Sequence, residues 1–164
     1  MPTAAIPVLK AALALQTNET NPLATPHAGP IVTSSKLRKQ DGIQVLAETG
    51  KPFTGIVEDR HANNKLKARR SLVDGRVQGV WLKWYGTGVL SDYSEWRDSL
   101  GDGTWIYFHP NGEVMERAQV VADRWNGVAE GWKPDGSKNY VTLFRQGVRT
   151  SQKNFGGKET AVVD

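Results

Sequence analysis

Residues 79–112 have the sequence GVWLKWYGTGVLSDYSEWRDSLGDGTWIYFHPNG, and the fold can be predicted from them. Gly79 and Gly103 are 24 residues apart within it, and the same spacing continues outward to Gly55 and Gly127. Nine residues after each of these glycines a turn-forming dipeptide ends: Asn63-Asn64, Thr87-Gly88, Asn111-Gly112 and Asp135-Gly136. Such dipeptides accept the positive φ angles that two-residue hairpin turns require. The spacing therefore predicts a tandem β-hairpin repeat of 24 residues.

Two further features recur in phase with these glycines. Seventeen residues after each glycine comes a large apolar residue: Leu72, Trp96, Val120 and Phe144. A second turn follows it, at Asp74-Gly75, Asp98-Ser99, Ala122-Asp123 and Gln146-Gly147. Three features at one period predict an all-β fold, an elongated antiparallel sheet of stacked hairpins.

The array divides the chain into four segments. Residues 1–30 form a proline-rich leader, in which a short helix is predicted from about Val8 to Gln16. Residues 31–54 form an irregular opening β unit, with a turn at Asp41-Gly42 and a strand after it. The four regular repeats span residues 55–150, and residues 151–164 form a tail.

The composition suits a turn-rich β protein. Only 38% of the residues are hydrophobic, whereas 17 glycines and 6 tryptophans are many for 164 residues, so the aromatic rings supply much of the buried area. The net charge of +4 is mild and its lysines and arginines are scattered among acidic residues, which argues against nucleic acid as a partner. The Ala-rich stretch from Ala4 to Leu15 follows no Lys or Arg and is interrupted by Lys10, which favours a helix over a secretory signal.

Strand alternation separates two faces of the predicted sheet. Taking each repeat glycine as position one, the even positions are mostly apolar and are assigned to the buried face: Ile56, Leu66, Leu72, Val80, Leu82, Trp84, Leu90, Trp96, Thr104, Ile106, Phe108, Val114, Val120, Val128, Trp132 and Phe144. Glu58, Arg60, Glu130 and Lys138 break this pattern, all of them in the first or last repeat.

The opposite face carries an unusual mixture of aromatic and basic residues. Trp81 and Trp105 are expected two strands apart, about 10 Å, with one residue of a return strand between them. The predicted partner-binding residues are Arg69, Trp81, Lys83, Tyr85, Tyr93, Trp105, Tyr107, His109 and Arg117. This mixture is enriched at interface centres, but the same rings could instead pack across neighbouring strands, or against the N-terminal leader, to hold a thin sheet together.

An enzymatic role is not predicted. The chain has three histidines; His61 and His109 fall at equivalent positions two repeats apart, roughly 19 Å, which is too far for shared metal ligation. There is no cysteine and no phosphate-binding or nucleophile motif. Neither a cofactor nor a metal site is expected.

Several stretches resemble a known family of repeats. Thr54-Gly55-Ile56-Val57, the segment Asp74 to Trp81, and Gly103 to Gly112 are similar to the variant MORN repeat, a strand–turn–strand unit with a Gly-x-Trp start. The resemblance covers residues 53–150 and is best in the two central repeats. The first repeat has Arg60 where the family has an aromatic residue, and the last has Ala129 where it has tryptophan.

The resemblance extends to the bacterial YwqK-like antitoxin family. It implies a protein that neutralises a cognate toxin or secreted effector by direct binding and occlusion, in the bacterial cytoplasm rather than the periplasm. The alternatives are a module that binds anionic lipid or acts as a scaffold, and a structural component of a phage or secretion assembly. The membrane is the less favoured partner.

Overall fold

The computed structural model describes residues 29–155. The predicted helix at Val8–Gln16, His27 and the end of the tail lie outside the described residues. One short 3₁₀ helix, Ser34–Lys36, accompanies thirteen strands. The strands are β1 (Ile31–Val32), β2 (Leu37–Gln40), β3 (Ile43–Leu46), β4 (Gly55–Arg60), β5 (Leu66–Val73), β6 (Arg76–Trp84), β7 (Leu90–Arg97), β8 (Leu100–Phe108), β9 (Val114–Val121), β10 (Arg124–Trp125), β11 (Gly127–Trp132), β12 (Lys138–Arg145) and β13 (Val148–Asn154).

One long sheet of consecutive hairpins makes up the repeat region. Its order is β1-β4-β5-β6-β7-β8-β9-β11-β12-β13, with β10 also paired to β9. All of these pairings are antiparallel except that of β1 with β4, so the sheet is mixed at this end only. The all-β hairpin-repeat fold is confirmed, and its last strand continues to Asn154, past the predicted end of the array.

The opening unit folds as a separate hairpin of β2 and β3 around the predicted Asp41-Gly42 turn. Its Gln44 N–H donates to the Gly75 carbonyl at 2.8 Å, and the Gly75 N–H donates to the Phe53 carbonyl at 2.8 Å. The unit therefore lies against the first repeat and covers that end of the sheet.

The two kinds of turn lie where the sequence predicts them. At the second kind, both central residues have positive φ, as at Asp98 (52°) and Ser99 (65°), which is the two-residue type I′ geometry. The first kind is a three-residue loop instead, because only its last residue has positive φ, as at Asn64 (65°) and Gly112 (90°). The His61 N–H donates to the Lys65 carbonyl across this loop, so the loop has one residue more than predicted.

The assignment of side chains to two faces is wrong for most of each return strand. Each return strand has a β-bulge at its second residue. The bulged residue has no partner on the preceding strand of its hairpin; these residues are Lys67, Ser91, Met115 and Asn139. One extra residue reverses the alternation for the rest of the strand. Hence Tyr93 lies beside Leu82 and Ile106, whereas Trp96 lies on the side of Trp81 and Trp105. We name these sides the Leu82 face and the Trp81 face.

Each face has its own core. On the Leu82 face the buried cluster consists of Leu82, Trp84, Leu90, Tyr93, Ile106 and Phe108. On the Trp81 face a second cluster, Phe53, Val57, Leu72 and Val77, packs against Val32, Leu37, Leu46, Trp81 and Trp96. Trp84 and Phe108 are buried as predicted, but Leu72 belongs to the Trp81 face because of the bulge at Lys67. Val128 was also assigned to the buried face, and this is wrong, since it is 48% exposed.

Candidate binding surface

A stack of three tryptophans runs across the centre of the Trp81 face. Trp81 and Trp105 both pair with Ser94 in register, which confirms the expected spacing of two strands. The ring of Trp96 fills the space between them, 5.4 Å from the Trp81 centroid and 5.5 Å from the Trp105 centroid. All three rings are half-buried, so they form a continuous aromatic strip with one accessible side.

A glycine lets the strip lie close to the backbone. A Cβ placed on Gly101 would come within 2.5 Å of Cζ2 of Trp105, so any side chain there would displace the ring. Gly101 pairs with Trp96 in register, beside the position where the two rings meet. The glycine thus positions the strip without contributing a side chain to it.

Two cations flank the strip at its Trp81 end. The Arg70 guanidinium lies 4.7 Å and the Lys83 ammonium 5.3 Å from the Trp81 ring centroid, within cation–π range. Burial lowers the pKa of Arg70, and the nearby Asp59 carboxylate opposes this shift. The Trp81 Nε1–H is buried with no hydrogen-bond partner within residues 29–155, so this end of the strip has an unused donor.

Carboxylates and tyrosines continue the same face toward the last repeat. Lys83 pairs in register with Asp92, Asp92 with Tyr107, and Tyr107 with Glu116. The Lys83 ammonium is 3.5 Å from the Asp92 carboxylate. Burial of the ring, followed by the charges of Asp92 and Glu116, raises the pKa of Tyr107. The surface therefore alternates in charge and is less basic than the sequence suggested.

Tyr140 closes this row. Its hydroxyl donates to Glu116 Oε2, and its ring lies over Gly131, where a Cβ would collide with the ring atoms. Burial and the bond to Glu116 raise the pKa of Tyr140, which holds the phenol neutral. Arg70, Trp96 and Tyr140 were not predicted to belong to this surface, because the bulges that bring them to it have no recognisable sequence signal.

Three predicted residues lie on the opposite face and must be removed from the surface. Tyr93 is 4% exposed in the Leu82 core and donates to Glu95 Oε1 at 2.8 Å. Arg69 pairs with Glu58 at 3.7 Å, and Arg117 pairs with Glu130 at 3.6 Å. The bulges at Lys67, Ser91 and Met115 place these side chains beside Leu82 and Ile106.

The charged residues that interrupted the apolar pattern form matching clusters at the two ends of the Leu82 face. Glu58 accepts from Arg60 at 2.7 Å besides pairing with Arg69. Glu130 accepts from Lys138 at 2.7 Å besides pairing with Arg117. Each carboxylate thus joins a charged residue of its own hairpin to one on the neighbouring strand, and these residues stabilise the scaffold.

Tyr85 and His109 hold adjacent repeats together. The Tyr85 hydroxyl donates to the Phe108 carbonyl at 2.6 Å, 23 residues further along the chain. The His109 Nε2 is 2.9 Å from the Trp132 carbonyl, and His61 makes the same contact with Trp84 at 2.8 Å. Because a carbonyl only accepts, each imidazole must donate from Nε2. The two predicted binding residues therefore have a role in the scaffold.

The hydrogen bond of Tyr85 gives a direct test of that role. We expect Tyr85→Phe to lower the free energy of unfolding by about 1 kcal/mol, because the Phe108 carbonyl loses its donor. Tyr107→Phe is the matched control, since the Tyr107 hydroxyl makes no hydrogen bond within residues 29–155. Equal chemical-denaturation midpoints for the two variants would contradict the linking role.

Within residues 29–155 there is no group of three or more His, Cys, Asp or Glu residues placed to hold a metal ion. No helix in this part of the chain is long and apolar enough to cross a membrane. Comparison of the chain with protein-family models, with curated proteins and with solved structures found no match.

Proposed function

We propose that this chain is an antitoxin or immunity protein, which neutralises a cognate bacterial toxin or secreted effector by binding it and occluding its active site. The observation that carries the proposal is the strip of Trp81, Trp96 and Trp105 on the Trp81 face. Tryptophan, tyrosine and arginine dominate the energetically important centres of protein interfaces. All three residue types meet here: tryptophans form the strip, Arg70 lies at one end of it, and Tyr107 lies beside Trp105.

The two faces offer a partner different surfaces. The centre of the Leu82 face is filled, since Leu82, Tyr93, Ile106 and Phe108 are buried against one another. On the Trp81 face the rings remain half-buried, and 48% of the Lys83 side chain is exposed. A partner that covers these half-buried aromatic rings and desolvates the neighbouring ion pair would gain binding energy and specificity on this face.

The partner must match an alternating pattern of charge. Arg70 and Lys83 present positive charge at one end of the strip, while Asp92 and Glu116 present negative charge toward the other. A partner with only acidic groups would meet two carboxylates. We therefore infer a partner surface that carries both signs, which supports a folded protein target.

The decisive experiment is to mix the purified chain with the protein encoded by the neighbouring reading frame. We expect a stoichiometric complex by calorimetry and size-exclusion chromatography, together with loss of the toxic activity. A neighbour that neither binds nor loses activity in the presence of this chain would contradict the proposal.

Charge reversal on each face shows which surface binds. We expect Lys83→Glu to weaken the complex by about tenfold, because it places a carboxylate between Trp81 and Asp92 at the interface. Arg97→Glu is the matched control, since Arg97 lies on the Leu82 face and also forms one exposed ion pair, 3.3 Å from Asp102. Both should melt like the parent protein. Equal weakening by the two variants would assign binding to net charge and not to the Trp81 face.

A further inference from the structure

The last hairpin is strongly basic. Residues 138–155 contain the cations Lys138, Arg145, Arg149 and Lys153 and no aspartate or glutamate. Lys138 is neutralised by Glu130 of β11, at 2.7 Å. The other three have no carboxylate within salt-bridge distance in residues 29–155, and Arg149 bonds only the amide of Gln152. The positive charges of Arg145, Arg149 and Lys153 are therefore uncompensated within residues 29–155.

The same hairpin ends the sheet. Strand β13 pairs with β12 on one side, and no strand within residues 29–155 pairs with its outer edge. An open edge offers a row of backbone donors and acceptors to an added strand. A second copy is a poor candidate, because it would bring the same unpaired cations, Arg145, Arg149 and Lys153, close to those of the first copy with no carboxylate of either hairpin between them.

Exposed apolar side chains accompany this edge on the Leu82 face. Leu143 is 41% exposed, Val148 66% and Phe155 37%. The ammonium groups of Lys138 and Lys153 lie 5.7 Å and 6.0 Å from the Phe155 ring centroid. Basic residues alone would be explained as protection against aggregation of an edge strand. Exposed apolar residues favour association instead, so basic and apolar residues at the same edge indicate a surface that a partner covers.

We propose that the outer edge of β13 binds an extended, acidic segment of a partner protein as an additional strand. The partner's backbone would pair with β13. Its carboxylates would meet Arg149 on the Trp81 face, and its apolar side chains would lie beside Val148 and Phe155 on the Leu82 face, where Lys153 adds positive charge. The edge would then provide a second contact with the partner, separate from the Trp81 face. This inference rests on the proposed function only in taking the chain to be a protein-binding module.

The test uses a peptide, so its failure would leave the toxin-binding experiment unaffected. The probe is a capped nonapeptide of alternating glutamate and valine, titrated into the isotope-labelled full chain. One control peptide has lysine in place of glutamate, and a second is methylated at alternate backbone nitrogens, so that it cannot pair fully with a strand. Vesicles of anionic phospholipid form a separate arm, which carries the charge without the backbone.

We expect the acidic peptide to perturb the backbone amide signals of β13, and the methylated peptide to bind about tenfold more weakly. The double variant Arg149→Glu with Lys153→Glu should weaken binding about tenfold, whereas Lys36→Glu with Lys39→Glu, an equal charge change at the far end, should change it by less than about twofold. These exposed positions are not part of either core.

Four results would overturn the proposal. The first is equal affinity for the methylated and unmethylated peptides, and the second is an equal effect of the two double variants. The third is binding that appears only after residues 157–164 are deleted, which would identify the chain's own end as the occupant. The fourth is binding of the anionic vesicles with no affinity for the acidic peptide, which would identify a lipid surface as the ligand.

Discussion

Phe108→Ala is expected to lower the free energy of unfolding by about 3–5 kcal/mol, the usual cost of truncating a buried phenylalanine. Phe108 is fully buried in the Leu82 core, where it joins the second repeat to the third. Its carbonyl also accepts the Tyr85 hydroxyl, so a backbone shift there would weaken the link between these repeats. For a chain of this size the loss corresponds to a fall of roughly 6–20 °C in Tm, measured by calorimetry.

The matched control for this variant is Phe155→Ala. The Phe155 ring is 37% exposed at the edge of the last hairpin, so its removal should cost less than about 1 kcal/mol. Because stability in a repeat array is largely a sum of nearest-neighbour contacts, Phe108→Ala should also broaden or split the melting transition. Equal melting temperatures for the two alanine variants would show that the Leu82 face is not the main core.

Gly75→Ala is expected to have the second largest effect, through the contact between the opening unit and the array. Gly75 has φ of +77°, and an added Cβ would lie 2.5 Å from the Gln44 carbonyl oxygen and 3.0 Å from Cβ of Ile43. Relief would separate β3 from the turn and break the hydrogen bond between the Gln44 N–H and the Gly75 carbonyl. Overpacking of this kind costs about 1–3 kcal/mol, added to the strain of a left-handed alanine.

Gly42→Ala isolates the backbone strain from the collision. Gly42 occupies the same position in an Asp-Gly turn with φ of +84°, but an added Cβ there would meet nothing within 4 Å. We expect Gly75→Ala to be less stable than Gly42→Ala and to expose the amides of β3 to faster hydrogen exchange. Equal denaturation midpoints for the two variants would show that the opening unit contributes no stability through this contact.

The effects of these variants could be anticipated only in part from the sequence. Burial of Phe108 follows from its place among the even apolar positions, and Asp74-Gly75 is recognisable as a turn. The collision at Gly75 is not predictable, because it depends on how a separate hairpin, β2–β3, lies against the first repeat. The role of Tyr85 was also missed, since its hydrogen bond joins residues 23 positions apart in adjacent repeats.

The 24-residue period, the location of both kinds of turn and the all-β class could be predicted from the residues alone. These are local properties: positive φ is tolerated by few residue types, and strand alternation has a fixed period of two. Which side chains share a face depends on how the strands pair. The four bulged residues are Lys67, Ser91, Met115 and Asn139, which have no chemistry in common. Each adds one residue to its own strand, so the side chains of the residues that follow lie on the opposite face. That single step brings Trp96 between Trp81 and Trp105 and moves Tyr93 into the core, because only pairing between strands sets the register.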